Sequence, residues 1–349
     1  MARALDIHEK DGYGQLRADT DPASIEPAVA EAGRPFRLQF DEPLPNEVLI
    51  AAAGALRRYP DVELRAYGRQ LGPSLAWLSG FEDIQHLSLQ LWNATSFDVL
   101  AAFTSLRSLT LGQTLSRRPS LAFIRGLPQL GVLWLEAHAR DFDAVGEVET
   151  LTRLHLRVPR ARSLEPLRGH PSLEVLTMDF GGIRDLSCLK DIPRLRGLGL
   201  YQVRKLDTGD LDAVGDCAEL EAVSLGALRN VASLRAFAQG PCSTLRLLTL
   251  ERLPALATLA DLANCKRLEQ LGLYDSRPAD GRLDHLLGCP ALKHLVASDR
   301  YPRDQLALMR DRFRGKTLQL RGEPARGDLG DVAVRWRAPV HRQLDADGR

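Results

Sequence analysis

Apolar residues recur along the chain in the pattern L-x-x-L-x-L, with substitutions at some positions. Ten copies follow one another at intervals of 21 to 25 residues, and they begin at residues 84, 106, 130, 151, 173, 195, 220, 245, 268 and 292. Alternating apolar and polar residues are typical of a strand with one buried face. Each copy therefore predicts one short strand, and the regular interval predicts stacked repeats that share a continuous core.

Weaker copies of the strand pattern flank the ten. The segments "FRLQF" (36–40), "VELRAYG" (62–68) and "KTLQL" (316–320) alternate in the same way. An amphipathic helix is predicted between the first two, over "PNEVLIAAAGALRRY", and another over "RDQLALMRDRFRG", before the last. Longer helices near both ends of the array are what capping repeats require.

The repeats divide the chain into three predicted regions. Residues 1–35 form an N-terminal arm or cap, 36–320 form the repeat array, and 321–349 form a C-terminal tail. The array is predicted to contain about 13 strands, with its core repeats over 84–297 and capping repeats at both ends.

The regularity of residues 173–194, "LEVLTMDFGGIRDLSCLKDIPR", carries a family resemblance. After the strand, this repeat adds apolar residues at Ile183, Leu186, Leu189 and Ile192. It resembles the leucine-rich-repeat family, and within it the 22-residue bacterial repeats of the internalin type. The resemblance implies an α/β fold, namely a curved right-handed solenoid. In that fold a parallel sheet forms the concave face, and short helices or 3₁₀ turns form the convex face.

One position departs from the family pattern. The family usually places asparagine or cysteine three residues after the last strand leucine, where the side chain satisfies backbone groups of the turn. No copy has either residue there; the positions hold Trp92, Thr114, His138, Pro159, Gly181, Val203, Leu228, Leu253, Ser276 and Arg300. The missing asparagines lead us to expect irregular turns between the repeats.

Residues that alternate with the strand leucines supply the candidate binding site. Neighbouring strands lie about 4.8 Å apart, so outward residues of adjacent repeats are expected to form one central cluster: Trp134, Glu136, Arg153, His155, Arg157, Asp179 and Tyr201. Trp, Tyr and Arg are enriched in binding hot spots. The alternative is a ladder of surface ion pairs with little energetic weight. A secondary cluster is predicted from Glu251, Tyr274, Asp275, His294, Asp299 and Arg300.

Composition and motifs give no support to catalysis or to charged partners. Lys and Arg number 46 and Asp and Glu 45, so the net charge of +1 gives no reason to expect nucleic acid or a charged membrane surface. No phosphate-binding loop, dinucleotide fingerprint or zinc-ligand spacing occurs. His155 is the only candidate base, and no nucleophile or oxyanion loop accompanies it. We expect a non-enzymatic protein without cofactor, metal or small-molecule substrate.

Four of the five cysteines share one register. Cys217, Cys242, Cys265 and Cys289 each stand three residues before the first leucine of a copy, where large apolar residues stand elsewhere. They are predicted to be small core residues, because a column of thiols cannot converge on one zinc ion. An odd cysteine count without a close pair indicates a reducing compartment. The opening residues contain no apolar signal segment, so we expect a cytoplasmic protein.

The predicted function is a bacterial protein-interaction module that binds a protein partner on the concave face. Two alternatives stay open. One is an effector or ubiquitin-ligase adaptor, since Leu44, Pro45, Glu47, Val48 and Leu49 in segment 43–65 faintly resemble an F-box opening. The repeat pattern explains the same segment as a capping repeat. The other alternative is an immunity-type protein that neutralises a toxin.

Overall fold

A computed structural model describes residues 2–321 of the chain. Its residue contacts divide the chain into two compact units, Met1–Ala161 and Arg162–Arg349. The predicted tail, 321–349, lies outside the described residues apart from Arg321, the final strand residue. The three predicted regions and their boundaries therefore stay predictions.

The first unit contains eight strands and three α-helices among its described residues. The strands are β1 (Asp6–His8), β2 (Tyr13–Gln15), β3 (Arg37–Phe40), β4 (Glu63–Gly68), β5 (His86–Leu91), β6 (Ser108–Leu111), β7 (Val132–Glu136) and β8 (Arg153–Arg157). The helices are α1 (Pro22–Glu31), α2 (Asn46–Arg58) and α3 (Asp143–Gly146). Strand β1 pairs antiparallel with β2, and from β2 to β8 each strand pairs parallel with the next along the chain.

The second unit follows the same plan. Its strands are β9 (Val175–Asp179), β10 (Gly197–Tyr201), β11 (Ala222–Gly226), β12 (Leu247–Glu251), β13 (Gln270–Tyr274), β14 (His294–Ser298) and β15 (Thr317–Arg321). Its α-helices are α4 (Thr208–Leu211) and α5 (Arg303–Arg312). All seven strands are parallel and pair in chain order. Every one of the ten repeat copies thus forms the strand that its pattern predicts.

Strand register brings equivalent leucines into rows. In the first unit one such row comprises Leu38, Leu64, Leu87, Leu109, Leu133 and Leu154. Each of these leucines is at most 1% exposed, so the row forms the centre of the core. A single repeat could not bury such a leucine, and the stack of repeats therefore provides the stability of each.

Short 3₁₀ helices return the chain from most strands to the next. They span Glu9–Asp11, Ala76–Leu78, Asp98–Ala102 and Ala122–Gly126 in the first unit, and Glu165–Leu167, Ser187–Asp191, Asp212–Asp216, Arg235–Ala238, Gly240–Ser243, Ala260–Leu262 and Asp284–Gly288 in the second. These 3₁₀ helices are three to five residues long. A repeat of 21 to 25 residues has room for a strand and such a short helix, but not for a strand and a long α-helix. No helix among residues 2–321 is long and apolar enough to cross a membrane.

The turns after the strands are regular, contrary to the expectation from the missing asparagines. Seven successive repeats place a non-glycine residue with φ between 46° and 61° directly after the strand: Ala137, Val158, Phe180, Gln202, Ala227, Arg252 and Asp275. The expectation of irregular turns is therefore wrong for β7 to β13. The left-handed conformation costs a non-glycine residue about 1–2 kcal/mol of conformational energy, so a compensating interaction is needed.

Backbone hydrogen bonds between repeats provide that compensation. The Ala137 N–H donates to the Arg157 carbonyl at 3.0 Å, and the Ala227 N–H donates to the Glu251 carbonyl at 2.7 Å. Equivalent bonds join Phe180 to Tyr201, Gln202 to Gly226 and Arg252 to Tyr274. The main chain thus satisfies turn groups that the family's asparagine side chains usually satisfy.

Three polar side chains at the family's asparagine position also bond the backbone, and the first of them, Thr114, donates its hydroxyl to the Ser116 carbonyl at 2.6 Å. His138 Nε2 lies 3.0 Å from the Gly112 carbonyl oxygen, and Ser276 Oγ accepts the Leu253 N–H at 3.1 Å. Burial lowers the pKa of His138, which favours a neutral imidazole that donates its Nε2–H to the carbonyl. The side chains of Thr114, His138 and Ser276 thus supply hydrogen bonds to the backbone at positions where the family usually has asparagine.

Replacement of Ala227 by glycine is expected to raise the free energy of unfolding by about 1 kcal/mol, because only a methyl group is lost and left-handed strain is relieved. The matched control is Ala257→Gly. Ala257 is exposed and has no positive φ, so its replacement should lower stability by roughly 0.5 kcal/mol. Urea unfolding followed by circular dichroism measures both changes. Equal destabilisation by the two substitutions would show that the turn is not strained.

The N-terminal 35 residues, predicted as an arm or cap, contain regular elements. Strand β2 pairs with β3 and places Gly14 level with Leu38. A Cβ at Gly14 would lie 3.0 Å from a methyl carbon of Leu5 and 3.2 Å from the ring of Phe36. Neighbouring side chains thus fill the space of the repeat leucine, and β2 begins the parallel strand order of the first unit.

Segment 43–65 folds as part of a repeat. Helix α2 follows Pro45, and β4 then pairs with β3 and β5. An F-box would place a second helix where β4 lies. The arrangement agrees with the capping-repeat interpretation and gives the F-box alternative no support.

Candidate functional site

Alternation along each strand separates core leucines from a second set of side chains. We call the surface formed by this second set the outer face. On β7, for example, Trp134 stands between the core residues Leu133 and Leu135, and Glu136 follows Leu135. The predicted central cluster belongs to this face but falls on both units, so each part is described by itself.

An aromatic stack forms the middle of the first part. Trp134 and His155 are direct register partners on β7 and β8, and their ring centroids lie 3.6 Å apart at an interplanar angle of 27°. Trp134 is 5% exposed and His155 4% exposed. The two rings therefore form a rigid, closely packed platform, and His155 has a packing role here.

An ion pair lies next to the stack. Glu136 and Arg157 are the next pair of register partners, with 3.4 Å between Arg157 Nε and Glu136 Oε1, and each side chain is 25% exposed. Arg153 is partly exposed and stands opposite Val132 at the other end of β8. The first unit thus brings four of its five predicted residues together in two adjacent pairs, with Arg153 at the margin.

Asp179 and Tyr201 form the part that lies in the second unit. They are register partners on β9 and β10, and Asp179 is 7% exposed. The Tyr201 ring lies over Gly226, where a Cβ would come within 2.3 Å of ring carbon Cδ2. Only glycine at position 226 leaves room for this ring position.

Arg252, in the turn after β12, contacts the Tyr201 ring and hydroxyl. Arg252 Nη2 donates a hydrogen bond to the Tyr201 hydroxyl, and the guanidinium lies 5.7 Å from the ring centroid. The same nitrogen is 2.7 Å from Glu251 Oε1. Sequence reasoning did not assign Arg252 to the cluster, because it belongs to the turn rather than to the alternating strand positions.

The secondary cluster is only partly assembled. Glu251 and Tyr274 are register partners on β12 and β13, and Tyr274 is 3% exposed and packs against Val296. His294 instead stands level with Gln270, at the beginning of the strands. Four residues separate Gln270 from Tyr274, about 13 Å of strand, so His294 does not join Glu251 and Tyr274.

A polar network in the first unit was missed by the sequence analysis. Arg65 is 8% exposed and donates to Gln39 Oε1 at 3.3 Å and to Gln90 Oε1 at 2.6 Å. Its guanidinium lies 4.7 Å from the ring centroid of Tyr67, whose hydroxyl donates to Gln15 at 3.2 Å. The alternation along "VELRAYG" is the signal from which Arg65 and Tyr67 could have been assigned to the outer face.

The five cysteines are all buried and free, which agrees with the core position predicted for the four that share one register. Burial raises the pKa of the Cys188 and Cys289 thiols to about 11 and that of Cys217 to about 12. High pKa values keep the thiols protonated and weakly nucleophilic. Among residues 2–321, no group of three or more His, Cys, Asp or Glu residues is placed to hold a metal ion.

Comparison with solved structures identifies the architecture. An internalin of Listeria monocytogenes superposes with a TM-score of 0.56 at 16% identity, over 81% of this chain and 77% of that one. The chain has the leucine-rich-repeat fold. A leucine-rich-repeat protein of Leptospira interrogans is also similar, with a TM-score of 0.49 at 17% identity over 78% and 80% of the two chains.

The leucine-rich-repeat fold confirms the predicted α/β class and the resemblance that the repeats carry. No family model matches the sequence, and no curated protein matches it. At 16% identity the structural similarity establishes the fold alone, so the function has to be argued from the outer face.

Proposed function

We propose that the chain is a non-enzymatic protein-interaction module whose outer face binds a protein partner. The contact residues proposed in the first unit are Trp134, Glu136, Arg153, His155 and Arg157, and those in the second unit are Asp179 and Tyr201. The family resemblance makes this strand face the concave one. Leucine-rich-repeat folds of this kind present extended surfaces on which a partner can lie.

The observation that supports the proposal best is the pairing of a rigid aromatic platform with a partly exposed ion pair. The Trp134–His155 stack is nearly buried, so it holds the two strands in place beside the ion pair and leaves little conformational freedom to lose on binding. Glu136 and Arg157 keep a quarter of their side-chain surface in solvent, where a partner can add hydrogen bonds to both charges. Tryptophan and arginine are the types most enriched in binding hot spots.

We further propose that the protein acts in a reducing cytoplasm and binds neither nucleic acid nor membrane. Buried free thiols fit such a compartment. The near balance of 46 basic and 45 acidic residues gives no electrostatic attraction for a polyanion. His155 is stacked on Trp134 and lies in the packed interior of the face, which supports a binding surface over a catalytic one.

A charge reversal of the outer-face ion pair tests the proposal. The variant Glu136→Arg/Arg157→Glu retains an ion pair and leaves the Trp134 stack intact, but it inverts the charges offered to a partner. Tagged full-length protein is used to capture partners from the native host, and bound proteins are quantified by mass spectrometry. A specific partner should bind the variant at least 10-fold less, since hot-spot changes cost about 2 kcal/mol or more.

The matched control is Arg125→Glu/Glu147→Arg. Arg125 Nε lies 2.6 Å from Glu147 Oε2, and both side chains are exposed on the returns rather than on the strands. This reversal should leave capture unchanged. Equal capture by wild type and the outer-face variant would remove the proposed site, and a partner lost equally from both variants would place the contact elsewhere.

A further inference from the structure

Two of the four register cysteines are far closer than strand spacing predicts. The sulfur atoms of Cys242 and Cys265 lie 2.9 Å apart, whereas adjacent strands are separated by about 4.8 Å. A disulfide bond is about 2.05 Å long, so the two sulfurs need to approach by less than about 1 Å to form one. The chain reaches this geometry with both cysteines free.

The other three cysteines each donate to a backbone carbonyl and to no other sulfur, and Cys217 Sγ lies 3.9 Å from the Ala213 carbonyl oxygen. Cys289 Sγ donates to the Leu262 carbonyl at 3.1 Å, and Cys188 Sγ donates to the Leu164 carbonyl at 3.4 Å. The structure thus selects one pair from the column of thiols. It also explains why the column need not act as a metal site, since the close contact involves only two sulfurs.

We propose that Cys242 and Cys265 form an intramolecular disulfide when the protein meets a hydroperoxide. One thiol, as thiolate, attacks the peroxide oxygen and becomes a sulfenic acid, and the other thiol then displaces water to form the S–S bond. For hydrogen peroxide the balance is two thiols and one peroxide giving one disulfide and two waters. Sulfur is oxidised and the peroxide is reduced.

Exposure sets the order of the two steps. Cys242 is 7% exposed and Cys265 is 0% exposed, so Cys242 meets the oxidant first and Cys265 resolves the sulfenic acid. Burial raises the pKa of Cys265, so the resolving thiol stays largely protonated and the second step is slow.

The cross-link would connect the segments that precede β12 and β13, three residues before Leu245 and Leu268. It would close a loop of 22 residues between the two cysteines. A closed loop restricts the unfolded chain, and its main effect is to stabilise the second unit. This inference does not depend on the proposed partner-binding function.

Peptide mapping of full-length protein tests the proposal directly. Trypsin places all five cysteines on separate peptides, which span 185–190, 206–229, 236–246, 253–266 and 283–293. The folded protein is treated with hydrogen peroxide, unfolded with an alkylating reagent present, and digested. A cross-linked peptide joining 236–246 to 253–266 is expected. Its mass should be the sum of the two peptide masses less two hydrogen atoms, and dithiothreitol should separate it into the two peptides.

Two variants separate this pair from general thiol oxidation. Cys242→Ala should abolish the cross-linked peptide, and the matched Cys217→Ala should retain it, with circular dichroism confirming that both fold. The Tm of oxidised wild type should rise by roughly 5–10 °C over that of reduced protein. Cross-links to other cysteine peptides, or only sulfinic and sulfonic acids at Cys242, would overturn the proposal, as would an unchanged Tm.

Discussion

Phe97→Ala is expected to lower the free energy of unfolding by about 4 kcal/mol. Phe97 is 0% exposed, and its ring lies 6.3 Å from that of Phe123 and 5.6 Å from that of His138. Its removal leaves a cavity between repeats that cannot close, because the strands on either side are fixed by their hydrogen bonds. Urea unfolding monitored by circular dichroism measures the change.

A control for Phe97→Ala is available on the surface of the same unit. Leu115 is 68% exposed, so Leu115→Ala should change the free energy of unfolding by no more than about 0.5 kcal/mol. A loss below about 1 kcal/mol for Phe97→Ala, a quarter of the expected value, would mean that the repeats can collapse around the missing ring.

Gly288→Ala is expected to destabilise the second unit by about 3 kcal/mol. Gly288 ends the 3₁₀ helix Asp284–Gly288, where a Cβ would lie 2.1 Å from the Ala263 carbonyl oxygen and 2.9 Å from the carbonyl carbon. Because both are backbone atoms, no side-chain rotation relieves the clash. The returns of neighbouring repeats would have to separate, with loss of packing beneath them.

Thermal unfolding provides the measurement for Gly288→Ala. The Tm should fall by roughly 6–12 °C, given about 2–4 °C per kcal/mol for a unit of this size. The control is Gly182→Ala: Gly182 has no heavy atom within 4 Å of a Cβ and no positive φ. Similar Tm values for the two variants would show that the returns tolerate added volume at position 288.

Strands were predictable from the sequence wherever a leucine occupies the central core position. The alternation of apolar and polar residues follows from the two faces of a strand. The alternating segment recurs every 21 to 25 residues, which is the length of one strand and the segment that leads to the next. Strand β2 escaped the same reasoning because Gly14 stands at the leucine register and its space is filled by Leu5 and Phe36. A hydrophobic pattern depends on the side chain at each position, so it misses a position whose core space is filled by side chains from other residues.

The turns could not be predicted from side chains for a related reason. An asparagine is recognisable in a sequence, whereas the bond from the Ala227 N–H to the Glu251 carbonyl involves only main-chain atoms. Any residue able to adopt a left-handed conformation can stand there, as Phe180 and Arg252 do. The chain lacks the family's sequence signature at these turns, and main-chain hydrogen bonds join the repeats there.

The candidate site was predictable as far as register allows. Strand spacing placed Trp134, Glu136, His155 and Arg157 in one cluster, and the register makes Trp134 and His155, and Glu136 and Arg157, direct partners. Burial was not predictable, because the 3.6 Å stack of Trp134 on His155 results from side-chain rotamers. Rotamers also bring Cys242 and Cys265 within 2.9 Å of each other, well below the spacing of about 5 Å that the strands alone suggest.

The turn hydrogen bonds give the repeats a direction. The bonded N–H of each such turn uses a carbonyl of the following repeat. During synthesis, which begins at the N-terminus, a completed turn therefore waits for the next 21 to 25 residues before its N–H is satisfied. Bonds at the start of the strands run the other way, since the Arg196 and Gly197 N–H groups both donate to the Glu174 carbonyl of the preceding repeat. Deleting a repeat from either end therefore leaves N–H groups without an acceptor. Since unpaired N–H groups are poorly tolerated where they are buried, shortening of the repeat array is costly from either end.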